Sequence, residues 1–194
     1  MAVSPESTVN GANTRTRPRV PDRVQRILTI GVGRADHGDE SVGLHVARAV
    51  RARWPEAVRI FEHSGEGAAL MQLWAPGDGV FLFGASRSGA PAGTLHRFEA
   101  TVEEVPRRFF RSFGHPFGIA EAIEAARRIG RLPARMVVYS LEGASFNEGD
   151  DLSTPARRAL QELTSRALAE IRSLAERALF EHLSTKARNG APAK

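Results

Sequence analysis

The stretch Gly31-Val32-Gly33-Arg34-Ala35-Asp36-His37-Gly38-Asp39-Glu40-Ser41-Val42-Gly43 gathers three acids, a histidine and four glycines into one turn. Glycines at its first and third positions suggest a phosphate-cradling loop. A dinucleotide fingerprint, however, needs a third glycine where Asp36 stands, and Asp36, Asp39 and Glu40 would repel an arriving pyrophosphate. Carboxylates at the start of a helix are favoured by its dipole. An adjacent pair beside a strand end also suits a hard or borderline cation. The plainer alternative is that Asp39 or Glu40 simply caps the helix.

Of the six histidines, His115 is best placed for chemistry, in Ser112-Phe113-Gly114-His115-Pro116-Phe117-Gly118 just ahead of a helix. A neutral imidazole there can ligate a metal or bond to backbone. His63 closes a strand next to Ser64-Gly65-Glu66-Gly67 and faces the same crevice, while His45, His96 and His182 read as surface residues. Other chemistries find little support. Gly84-Ala85-Ser86-Arg87-Ser88-Gly89 lacks the flanking glycine spacing of a nucleophile elbow. There is no HExxH pair, and the chain contains no cysteine, which excludes disulfides and thiolate ligands and suits a reducing cytoplasm.

These residues need elements to hold them. Arg26–Ile30, Ala57–Phe61, Gly79–Phe83, Thr94–Glu99 and Met136–Leu141 read as five strands. Gly79–Phe83 is apolar throughout, as expected of a strand buried on both faces. Helices are expected over about 40–53, 67–74 and 118–129, with Gly130 ending the third, and a final one opens with Thr154 as N-cap and Pro155 behind it. Its apolar stripe is Leu160, Leu163, Leu168, Ile171 and Leu174. Alternating strands and helices predict an α/β fold: a three-layer α/β/α sandwich around a mostly parallel, twisted sheet of about five strands. Function in such sheets gathers at the carboxyl ends of the strands. That places it at the turn 31–43, the loop from Gly84 and the loop after Leu141.

Residues 25–183 are expected to form the single domain, between disordered tails at 1–24 and 184–194. The net charge of +5 sits wholly in those tails. Residues 1–24 carry four arginines against Glu6 and Asp22, and residues 184–194 carry Lys186, Arg188 and Lys194. A neutral body gives no ground for a nucleic-acid partner. No apolar run approaches the ~18 residues of a membrane span, and no apolar stretch follows the N-terminal arginines, so neither a membrane nor a secretory signal is expected.

Four features in order resemble the hydrogenase maturation endopeptidases. They are the Gly31-Val32-Gly33 turn with Asp39-Glu40-Ser41-Val42-Gly43, and Ser64-Gly65-Glu66-Gly67 with Leu70 and Trp74. After these come Ala90-Pro91-Ala92-Gly93-Thr94, then Ser112-Phe113-Gly114-His115 before a helix. The resemblance covers about residues 26–175. It implies a metal-dependent endopeptidase that removes the C-terminal extension of the nickel–iron hydrogenase large subunit once nickel is inserted. The nickel travels with the precursor, and no tightly bound organic cofactor is implied. Carried over, Glu40 and His115 are the catalytic pair that holds nickel, and Gly31, Gly33, Arg34, Asp39, Gly65 and Gly67 belong to the substrate-binding surface. Two family positions depart. The third ligand, an aspartate, is Gly84 here, and the asparagine of the first turn is Arg34. His63, Asp39 and Glu66 are the substitutes to consider for the missing ligand. The alternative is a non-catalytic homologue that binds the precursor as an assembly factor.

Overall fold

The computed structural model describes residues 24–54, 56, 58–110 and 117–189, with side chains to 184. Of the tails expected at 1–24 and 184–194, residues 1–23 and 190–194 lie outside the described residues, as does His115.

Five strands form one sheet: β1 (Arg26–Val32), β2 (Arg59–His63), β3 (Asp78–Ser86), β4 (Leu95–Glu99) and β5 (Arg135–Glu142), in the order β2-β1-β3-β5-β4. All pairings are parallel except β4 on β5. Period-two patterning divides each central strand between two apolar layers. Leu28, Ile30, Val32, Val80, Leu82, Met136 and Val138 face the layer holding α2 (Gly67–Leu70) and α3 (Ile119–Arg128). Ile27, Phe81, Phe83, Val137, Tyr139 and Leu141 face α1 (Val42–Arg53) and α4 (Thr154–Asn189). This is the three-layer α/β/α sandwich that the alternation of elements predicts.

The order of strands locates the working end. The β1–α1–β2 crossover runs over one face and the β2–α2–β3 crossover returns over the other, so the direction in which strands are added reverses between β1 and β3. A crevice opens outside the carboxyl ends of strands at such a switch point. Here those ends carry the turn after Val32 and the segment around Gly84.

Several boundaries differ from the sequence reading for physical reasons. The helix expected from about residue 40 is preceded by a 3-10 turn, Gly38–Ser41, in which the Ser41 hydroxyl donates to the Gly38 carbonyl at 2.7 Å. The helix expected over 67–74 stops at Leu70, although Leu70 and Trp74 are both buried in the same layer. Strand β3 runs three residues beyond Phe83, because Gly84, Ala85 and Ser86 pair with Ser140, Leu141 and Glu142. Gly84 therefore lies inside a strand rather than opening a loop. The cap of α4 is Ser153, whose Oγ accepts from the Ala156 N–H at 3.3 Å, and Thr154 is the first helical residue. Helix α4 also runs past residue 183 to Asn189. His96 is not a surface residue: its ring meets Phe109 edge-on with centroids 4.5 Å apart. No helix among the described residues is long and apolar enough to cross a membrane.

Candidate functional site

Glycines bring the turn and the two strand ends together. A Cβ on Gly31 would lie 2.2 Å from the Gly43 carbonyl oxygen, and one on Gly33 would lie 1.9 Å from that of Glu40. A Cβ on Gly43 would meet the Phe83 and Val32 carbonyl oxygens at 2.3 and 2.4 Å. The start of α1 thus rests directly on the ends of β1 and β3, backbone against backbone. Gly65 has φ +96°, which few residues but glycine adopt, and Gly67 has Phe117 where a side chain would go. Every glycine assigned to the substrate surface therefore also has a packing role.

The two acids of the turn are both buried but do different things. Asp39 is wholly buried. Its Oδ2 accepts from the N–H groups of Ala144 at 2.7 Å and Ser145 at 3.2 Å, and its Oδ1 accepts from Ser153 N–H at 2.7 Å. It ties the loop after β5 and the start of α4 to the turn. Glu40, with its side chain 7% exposed, is held by Arg34: Nε donates to Oε1 at 3.0 Å and Nη2 to Oε2 at 2.8 Å. Those hydrogen bonds hold the Arg34 guanidinium above its ordinary pKa against the opposing effect of burial, with Asp36 and Glu148 adding attraction. Asp36 pairs with His37 (Nδ1 to Oδ1, 2.6 Å), a bond that lowers the Asp36 pKa.

Gly84 is adjacent. A Cβ built there would sit 3.8 Å from the Val32 carbonyl oxygen, 3.6 Å from Phe110 and 3.7 Å from Ile119, all ordinary contacts. Both ends of the segment that carries His115 are anchored at this end of the sheet. Phe110 lies beside Gly84, and the Phe117 carbonyl accepts from Gly67 N–H at 2.8 Å. The remaining acids and His63 have partners. Both Glu66 oxygens cap α2 by accepting from Ala68 and Ala69 N–H at 2.8 Å, and His63 Nδ1 accepts from Gly65 N–H at 2.9 Å.

This arrangement does not fit a resident cation. Glu40 is ion-paired, Gly84 supplies no donor atom, and Asp39 and Glu66 spend their oxygens on backbone N–H groups. Among the described residues no three His, Asp or Glu side chains come together as a metal site.

One acid at the rim escapes the sequence reading. Glu142 ends β5, with Oε1 accepting from Ser88 and Gly89 N–H at 2.6 and 2.8 Å and Oε2 from the Ser86 and Ser88 hydroxyls at 2.7 and 2.9 Å. His96 Nε2 stands 3.8 Å away. The only signal for it is an acid directly after the apolar run of β5. Burial raises the Glu142 pKa, but the bonds from Ser86, Gly89 and Ser88 together outweigh it and leave the carboxyl below its ordinary value. A depressed folded-state pKa gives stability that is present above the unfolded value, about 4.3, and is lost as pH falls through the folded one. Glu142→Gln is expected to lose about 2 kcal/mol at pH 7, with the deficit closing in acid, in urea titrations at both pH values. A deficit independent of pH would assign the effect to shape alone.

No family model matches the chain. Individual relatives do. The hydrogenase 2 maturation protease of Escherichia coli is 27% identical over 152 residues, 76% of this chain and 91% of that protein. The hydrogenase expression/formation protein HupM of Azotobacter chroococcum is 28% identical over 159 residues, 79% and 74% of the two chains. Among solved structures, the hydrogenase maturating endopeptidase HybD from E. coli superposes with a TM-score of 0.65 at 25% identity, covering 76% of this chain and 93% of the other. Over about three quarters of its length the chain is thus similar to hydrogenase maturation proteins in sequence, and it shares the fold of the maturating endopeptidase HybD.

Proposed function

We propose that this chain acts in the cytoplasm on the precursor of a nickel–iron hydrogenase large subunit, as the endopeptidase that removes its C-terminal extension. The observation that carries this reading is the similarity to a hydrogenase maturation protease over 91% of that protein and 76% of this chain, with the buried Glu40 in the turn at the β1/β3 switch point. Nickel belongs to the substrate; docking leaves the Arg34–Glu40 pair intact, and for cleavage Glu40 would have to leave Arg34 and meet the metal there with His115. The turns at 31–33 and 65–67, with the part-exposed Arg34, form the surface on which the extension docks, and the wholly buried Asp39, expected there from the sequence, braces that surface from beneath. Neither a nucleic acid nor a membrane is required by this reading.

The test is to incubate nickel-loaded precursor with the chain and weigh the large subunit by mass spectrometry. The wild type is expected to remove the tail, and Glu40→Gln to slow removal about a hundredfold, the scale of a misplaced reacting group. An intact tail with no complex would overturn the proposal.

A specific observation favours a second reading, a non-catalytic assembly factor. Gly84 contributes no side chain and Glu40 is already ion-paired. In the same experiment that reading predicts a stable complex with an uncut precursor.

A further inference from the structure

Both departures from the family pattern fall at the carboxyl ends of β1 and β3, where a Cβ on Gly84 would lie 3.8 Å from the Val32 carbonyl oxygen, and both make the site more positive. Gly84 removes a carboxylate, while Arg34 adds a guanidinium and directs it onto the remaining acid. The pairing is built into the backbone. Gly33, immediately before Arg34, is pressed so closely on Glu40 that a Cβ there would lie 1.9 Å from the Glu40 carbonyl oxygen. Arg34 and Glu40 are therefore held on facing limbs of one turn, and the fork-on-fork geometry uses both carboxylate oxygens. Asp36 and Glu148 attract the same guanidinium, and Arg34 itself is part-exposed while Glu40 is buried.

Packing does not force the loss at Gly84. A Cβ there would find ordinary van der Waals distances, and its backbone has no positive φ. A divalent cation reaching this turn would have to break two charge-assisted hydrogen bonds. It would then have to expel Arg34 from among three acids, and would find one carboxylate in return.

We infer that Arg34 is the resident counter-ion of Glu40, standing in charge terms where a metal ion would stand. The chain consequently takes up no free nickel at this turn and engages its precursor whether or not nickel has been inserted. The second statement rests on the function proposed above; the first does not.

Isothermal titration of Ni²⁺ into the full chain tests the first. In the wild type, Glu40→Gln is expected to leave Ni²⁺ binding unchanged. Arg34→Asn combined with Gly84→Asp is expected to tighten binding at least ~10-fold, a gain that adding Glu40→Gln removes. Wild-type Ni²⁺ binding that Glu40→Gln abolishes would overturn the inference, as would a folded double variant that gains nothing. Should the double variant melt below the wild type, Arg34→Asn alone, at a part-exposed position, gives the same readout with a smaller gain. Titration of metal-free and nickel-loaded precursor tests the second statement. The wild type is expected to bind both within about threefold, and the double variant to prefer the loaded form at least ~10-fold. A wild type that binds only the loaded form would overturn that statement. If neither form is bound, the proposed function fails while the Ni²⁺ titration still decides the role of Arg34.

Discussion

Gly43→Ala is expected to destabilise the chain by about 3 kcal/mol or more in urea unfolding, well above the usual cost of adding a methyl group to a core. The added Cβ would fall 2.3 Å from the Phe83 carbonyl oxygen, 2.4 Å from that of Val32 and 2.7 Å from the Val32 nitrogen. All three are backbone atoms of central strands, so none can swing aside as a side chain would. Relief requires α1 to lift from the sheet, which would disturb the turn carrying Glu40. Gly84→Ala is the matched control. Its nearest neighbours stand at 3.6 Å or more, and it is expected to change stability by less than about 1 kcal/mol. Equal losses at the two positions would refute a specific close approach at Gly43.

The second large effect belongs to Asp39. Asp39→Ala strands three backbone donors, on Ala144, Ser145 and Ser153, in a place where the carboxylate itself is wholly buried. A fully buried, unsatisfied donor costs on the order of 1–3 kcal/mol, and these part-buried donors regain some of it from water. A net loss of about 4 kcal/mol is expected, a large share of a typical domain's stability. Asp39→Asn keeps one acceptor oxygen and is expected to fall between. Amide hydrogen exchange gives the sharper readout: protection should drop at Ala144, Ser145 and Ser153 before it drops in the sheet. Wild-type protection there would mean that Asp39 does not hold the loop.

These two residues show what the sequence made legible. Strand and helix order followed from hydrophobic periodicity because each central strand is apolar on both faces and each helix on one. The carboxyl ends of the strands followed from fold class as the working end; the switch point between β1 and β3 did not, because strand order is not written in the alternation of elements. The partition of labour between Asp39 and Glu40 did not follow. Asp39 is bound by residues more than a hundred positions away, and nothing local distinguishes it from its neighbour. The end of β3 was obscured for a similar reason. Gly84 reads as a strand breaker, yet pairing with Ser140 carries the strand through it, and Glu142 clasps the far end at Ser86 and Ser88. Arg34 was visible as a departure from the family turn. Only the fold shows that its guanidinium reaches the acid six residues on.

The central claim is that the precursor is handled at the carboxyl ends of β1 and β3. Hydrogen exchange on the chain, alone and mixed with the large-subunit precursor, tests it most directly. The account predicts new protection at residues 33–43, 65–70 and 84–89, with the outer face of α4 around Leu179, Phe180 and Leu183 unchanged. Protection confined to that α4 face, with the switch-point segments exchanging as they do in the free chain, would contradict it.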